Sequence, residues 1–132
     1  MYQQTERLND AEQAMLALVG SGRTYSDIAS ATGLADREVG LVVRLIFDKI
    51  AVLDAEPTGV DPYRELGCLS YRQQQVLILL AADKTNQGIA TALALSAGRA
   101  KDIVSEVLRR LNVPSRTGAA IIFTRALGRA TA

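Results

Sequence analysis

Between Thr85 and Arg116 the chain gathers side chains suited to one kind of chemistry: Thr85, Asn86 and Gln87, then Arg99, Lys101, Ser105, Arg109 and Arg110, then Arg116. Arg and Lys neutralise phosphates or donate to the O6 and N7 acceptors of guanine, while Thr, Asn, Gln and Ser add neutral donors and acceptors. Such groups bind a polyanion; they do not make and break bonds. The composition agrees. His is absent and Cys68 is the single cysteine, so imidazole acid–base chemistry and the usual zinc sets are missing. Neither a Gly-rich phosphate loop nor a cluster of metal ligands is present. No enzyme and no cofactor are expected.

Those side chains need a scaffold. Ser70 and Gln73 have the spacing of a capping box, and Val76, Leu77 and Leu80 then mark one face of a helix. After Asp83-Lys84, Thr85 can cap a short helix over 86–93, with Ile89, Ala90 and Leu93 inward. Ser96 can cap a third, in which Ala100, Val104, Val107, Leu108 and Leu111 form an apolar stripe. A short helix, a turn of about three residues and a longer basic helix have the pattern of a helix-turn-helix, whose second helix enters the major groove. Outward positions on that helix are Gly98, Arg99, Lys101, Asp102, Ser105 and Arg109. Arg99 and Lys101 can reach guanine or phosphate; Arg109, Arg110 and Arg116 suit phosphate, as do the side chains or amides of Thr85, Asn86 and Gln87.

The stretch resembles the DNA-binding domain of LuxR-type transcription regulators. The matching residues are Leu69-Ser70, Thr85-Asn86 with Ile89-Ala90, Leu95-Ser96, Lys101, the run Leu108-Arg109-Arg110-Leu111-Asn112-Val113, and Ser115-Arg116-Thr117. They form an ordered, ungapped set over about half the chain. The resemblance implies a four-helix DNA-binding domain whose fourth helix, over 118–127, often dimerises it in the family. Gly118, Ala119 and Ala120 are small enough for close approach, and Ile121 or Ile122 is the expected contact of a homodimer. The family's recognition helix reads Thr-Val-Lys-x-His, of which Arg99-Ala100-Lys101-Asp102-Ile103 keeps only the Lys. Gly88 stands where the family has a capping Glu. A base-sequence preference therefore does not carry over.

The same pattern occurs earlier. A shift of 61 residues aligns 8–52 with 69–113 without a gap, with 11 identities in 45 positions, among them Thr24/Thr85, Ile28/Ile89, Ala29/Ala90, Leu34/Leu95 and Val43/Val104. Asn9 with Glu12 and Thr24 with Asp27 have capping spacing, Gly20 and Gly22 end the first helix, and Gly33 suits a left-handed turn before a third helix over 36–50. In that third helix Val39, Val43, Ile46, Phe47 and Ile50 already fill the core positions. Gly40, Leu41, Val42 and Leu45 replace Lys101, Asp102, Ile103 and Glu106 on the side that would meet DNA. Surplus apolar residues there mark Leu41, Val42 and Leu45 as a protein interface, or as a surface packed within the same chain. Pro57, Gly59 and Pro62 interrupt any fourth helix in the first copy, although a helical turn near 62–66 is compatible with them.

The expectation is an all-α protein of tandem LuxR-like helix-turn-helix domains. Residues 1–56 form a degenerate first copy, 57–68 a connector and 69–132 the DNA-binding copy. Charge divides in the same way: five basic and nine acidic residues in 1–56, one and two in 57–68, nine and three in 69–132, so −4, −1 and +6 sum to the total of +1. The expected function is a transcription regulator that reads duplex DNA with its second copy. The first copy would touch another chain, a further regulator or RNA polymerase. Two alternatives stand beside it: an adaptor or anti-regulator that sequesters a protein, favoured by Asp102 and the acidic first copy, and a sigma-factor-like protein. No phosphoacceptor domain and no small-molecule pocket are legible. Cys68, unable to form an intrachain disulfide, is expected as a buried or half-buried connector residue of a soluble cytoplasmic protein. No apolar run approaches the roughly 20 residues of a membrane span, and 1–10 lacks the features of a signal peptide.

Overall fold

Hydroxyl side chains decide where four of the helices begin. The structure, a computed structural model, describes residues 10–53 and 64–131, and every element among them is an α-helix. In chain order these are α1 (Asp10–Gly20), α2 (Tyr25–Thr32), α3 (Asp36–Leu53), α4 (Arg64–Cys68), α5 (Tyr71–Ala81), α6 (Asn86–Leu93), α7 (Ala97–Arg110) and α8 (Arg116–Thr131). The expected Asn9 cap, Pro57, Gly59 and Pro62 lie outside the described residues.

Thr24 Oγ1 accepts from the Asp27 amide at 3.1 Å while Asp27 Oδ2 accepts from the Thr24 amide at 3.4 Å, closing the box that starts α2. Ser70 and Gln73 do the same for α5, at 3.2 and 2.9 Å. Thr85 accepts from the Gly88 amide at 3.0 Å and Ser96 from the Arg99 amide at 3.1 Å. Gly88 has no side chain to return the bond, so α6 keeps half a box. Each such cap is worth about 1 kcal/mol.

The 61-residue offset is written into the backbone. Helices α1 and α5 begin and end 61 residues apart, as do α2 and α6, and α3 and α7 begin 61 apart. Left-handed residues repeat too: Gly22 (φ 79°) with Asp83 (φ 66°), and Gly33 (φ 77°) with Ala94 (φ 56°). The third helices end differently. Asn112, at φ 57°, turns the chain after α7, the Val113 amide closes on the Leu108 carbonyl at 3.0 Å, and Pro114 prevents continuation. Helix α3 meets no such stop and runs to Leu53.

Helix α5 is the centre of the molecule. Its residues from Gln73 through Leu80 are all buried, so Ile78 and Leu79 join the single face of Val76, Leu77 and Leu80 that periodicity suggests. A helix with no solvent face must be covered on every side. Helices α6, α7 and α8 cover one part, and the front half covers the rest. Tyr25, wholly buried, packs edge-on to Tyr71 with ring centroids 5.2 Å apart. Its hydroxyl donates to Gln74 Oε1 at 3.2 Å and its amide to Gln75 Oε1 at 3.3 Å. Phe47 of α3 meets Phe123 of α8 edge-on at 6.1 Å. Arg44 Nη2 donates to the Leu69 carbonyl at 2.8 Å. One hydrophobic core runs from Met15 and Val19 in α1 to Phe123 and Ala126 in α8.

The described part of the connector is helix α4, against α3, with Leu66 fully buried. Cys68 is exposed rather than buried or half-buried: Leu66 and Leu69 take the inward positions on either side of it. Its carbonyl accepts from Arg110 Nη1 at 3.0 Å. Among the described residues no helix is long and apolar enough to cross a membrane.

Candidate nucleic-acid interface

The turn between α6 and α7 sets the angle of the candidate reader. Ala94 ends α6 in the left-handed region, and the Leu95 amide closes on the Ala90 carbonyl at 2.8 Å. Helix α7 then buries Ala100, Ile103, Val104 and Val107, with Leu108 half-buried and Leu111 buried beyond its end. Ile103 is thus a core residue, only 1% exposed, and not a groove-facing one. An inward stripe at 100, 103, 104, 107 and 111 leaves no other place for it. The outward strip is Gly98, Lys101, Asp102, Ser105 and Arg109, all exposed. Arg109 and Arg110 occupy the last turn, where cations suit the helix dipole.

The cations near this strip differ in what they are free to do. Arg99 Nη1 lies 3.8 Å from Glu106 Oε2, and Glu106 Oε1 accepts from Gln73 Nε2 at 3.2 Å. Glu106 is therefore turned back to the start of α5 rather than to the groove side. Arg116 Nη1 donates to Asn86 Oδ1 at 2.7 Å and its Nη2 to the Lys84 carbonyl, tying the start of α8 to the start of α6. Arg110 is bonded to Cys68. Gln87 Nε2 reaches Thr91 Oγ1 at 3.5 Å, and Thr85 serves as a cap. Lys101, Ser105 and Arg109 have no such internal task among the described residues. Of the nine candidate DNA contacts, the structure brings these three together on one helix side, with Arg99 at its flank. Asn86, Arg110 and Arg116 act first as internal ties.

The equivalent side of α3 is different in kind. Gly40 is buried, and a Cβ built on it would stand 2.2 Å from Tyr71 Cδ2, so the Tyr71 ring lies against the α3 backbone. The position matching Lys101 is closed by the second half. Beside it Leu41 and Leu45 are 55% and 58% exposed, while Val42 is half-buried and packed on the core. The α8 positions also separate: Ile121 is 45% exposed, whereas Ile122 packs on the core.

A cleft of about 640 Å³, not legible in the sequence, opens between α3 and α5, lined by Arg37, Leu41, Arg44, Tyr71 and Gln74 among others. Burial pushes the Tyr25 hydroxyl well above its ordinary range, reinforced by Tyr71 and opposed by Arg44. Burial also raises Tyr71, with Asp36 adding to it and Arg72 and Arg37 opposing. Gln74 Nε2 is buried without a partner. The Gln73-Gln74-Gln75 run, through its polar bonds to Tyr25 and Glu106, joins the front half to α5 and α7, a packing not legible from periodicity. Three consecutive amides opening an otherwise apolar helix were the available signal.

Residues 67–123 match the family described as bacterial regulatory proteins, luxR family, and so form a LuxR-type helix-turn-helix domain reaching from α4 into α8. The chain is 41% identical over 69 residues to "Putative HTH-type transcriptional regulator YhjB" of Escherichia coli (strain K12), covering 52% of this chain and 34% of that protein. It is 39% identical over 59 residues to "Uncharacterized transcriptional regulatory protein YvfU" of Bacillus subtilis (strain 168), covering 45% and 30%. The chain thus spans about a third of the length of these curated relatives. No solved structure matches it at the same significance.

Proposed function

We propose that this chain is a DNA-binding transcription regulator in which α7 reads the major groove. The observation that carries the reading is the exposed strip Lys101, Ser105 and Arg109 on the second helix of a LuxR-type helix-turn-helix. Lys101 lies where a base edge or phosphate would be met, Ser105 one turn further on, and Arg109 near the rim, suited to phosphate. The net charge of +6 on residues 69–132 supplies non-specific affinity, so binding falls steeply with salt. The names of the two relatives, both transcription regulators in print, favour the same role. Residues 10–53 are read as a degenerate tandem copy, supported by the repeated helix bounds and left-handed positions. It contacts protein rather than DNA, because Tyr71 covers Gly40 and α3 presents Leu41 and Leu45.

Lys101→Ala with Arg99→Ala should weaken DNA binding by about tenfold or more, and Arg109→Ala should weaken specific and non-specific binding alike with a shallower salt slope. A folded Lys101/Arg99 double variant with unchanged affinity refutes the assignment. One observation favours a second reading, an adaptor that binds protein through a disused reader. Arg99 is drawn to Glu106, Arg110 and Arg116 are engaged internally, and Asp102 stands in the exposed strip. Retention on duplex DNA at low salt and release at high salt distinguishes the regulator from the adaptor.

A further inference from the structure

The outer side of α3 is not only apolar; its charges are arranged to complement themselves. Leu41 and Leu45 are one turn apart, within about 40° of each other around the helix. Arg37 and Asp48 flank them on one edge, Glu38 and Lys49 on the other. On both edges one sign precedes the leucines and the opposite sign follows them. Arg37, Glu38 and Asp48 are exposed, and Lys49 is partly so, paired with Glu12 at 2.8 Å. A second α3 laid antiparallel about a twofold axis at residue 43 matches residue numbers that sum to about 86. Leu41 then faces the partner's Leu45, Arg37 the partner's Asp48, and Glu38 the partner's Lys49. A parallel twofold would instead set Arg37 against the partner's Glu38 and Asp48 against the partner's Lys49, so reversing Arg37 and Asp48 together restores the contact only in the antiparallel pairing.

We propose that the occupant of this surface is a second copy of the same chain, docked antiparallel through α3. The inference rests on reading α3 as a protein-contact face and names what covers it. The patch is bounded. On one edge Lys49 holds Glu12 of α1; on the other, Asp48 lies against Gly67 of α4, and Arg44 bonds the Leu69 carbonyl. The contact is small, so the free dimer is weak. Two chains on one duplex experience an effective concentration of about 1 mM, which is the range in which the dimer would operate.

The test is sedimentation equilibrium of the full chain, in reducing buffer because Cys68 is exposed, up to about 1 mM. The expected result is a monomer–dimer equilibrium weakened about tenfold by Arg37→Glu alone and by Asp48→Arg alone. The two substitutions together should restore it, since each Glu then faces an Arg of the partner. Leu41→Asp with Leu45→Asp should abolish it while circular dichroism stays unchanged. A chain that remains monomeric throughout, or a dimer in which the paired charge reversal brings no recovery, overturns the second copy as occupant. The underlying α3 reading fails separately, if the two-aspartate variant also leaves regulation of a reporter in cells intact. Should that variant unfold, the charge-reversal series still decides the proposal.

Discussion

Phe47→Ala tests whether the two halves stand or fall together. The ring is wholly buried and meets Phe123 edge-on at 6.1 Å, so its removal opens a cavity between α3 and α8. Truncating a buried Phe costs about 3–5 kcal/mol from lost transfer energy and residual cavity. The edge-on pair adds about 0.5–1.5 kcal/mol beyond area burial, already partly included in that range. Unfolding entropy near 60 °C is about 2.1 cal/mol/K per residue, or about 0.28 kcal/mol/K for 132 residues, so a loss of about 4 kcal/mol lowers Tm by about 14 °C. Because Phe47 lies in the front half and Phe123 in the back, the loss should reach both. The assay is urea denaturation with native-state amide exchange followed at Ile28 and Val43 in front and at Ile89 and Val104 behind. The expected outcome is one cooperative transition and a similar fall in protection at all four. If Ile89 and Val104 keep full protection while Ile28 and Val43 lose theirs, the halves are independent domains and the shared core carries no coupling.

Two further perturbations probe local features. Ala94 is exposed and sits at φ 56°, where its counterpart is Gly33, so Ala94→Gly should relieve about 1–2 kcal/mol of left-handed strain against about 0.4–1 kcal/mol of added unfolded-chain entropy. A gain of about 0.5–1 kcal/mol, seen as a higher urea midpoint, is expected; a lower midpoint refutes the strain. The second concerns pH. Burial holds the Tyr25 hydroxyl above its ordinary pKa of 10.0, so the folded chain resists a deprotonation that the unfolded chain accepts. The associated stability is complete below pH 10 and is lost as pH rises from there through the folded value. Tyr25→Phe should lower stability at pH 7 by about 1 kcal/mol, through the lost bond to Gln74, yet flatten the decline above pH 10. Parallel curves for the two proteins would refute Tyr25 as the source.

What was legible in the sequence was local. Caps at Thr24, Ser70, Thr85 and Ser96 fixed helix starts because a hydroxyl at an N-cap bonds an amide three residues on, whatever surrounds it. Gly33 announced its left-handed turn for a similar reason. The outward strip of α7 follows from its apolar period, except that alignment with Val42 puts Ile103 outward. Both residues in fact lean on the core, Ile103 fully and Val42 in part. The missing information was tertiary. Periodicity assigned α5 one apolar face, because a period cannot report that a second layer covers the other. The run Val76-Leu77-Ile78-Leu79-Leu80, apolar at every position, was the sign of a helix buried all round. Ile122 is half-buried for a similar reason: its helix α8 packs against α1 and α3 as well as α5.

The contact between Tyr71 and Gly40 sets α3 apart from α7. Helix α7 carries Lys101 exposed to solvent. Helix α3 has Gly40 at the position 61 residues earlier, where any side chain would collide with the Tyr71 ring. Tyr71 in turn is held edge-on by Tyr25, whose hydroxyl and amide are taken by Gln74 and Gln75. The start of α5 thus covers the part of α3 around Gly40. The side chains of α3 follow that geometry, with glycine where the ring presses and leucines just beyond it.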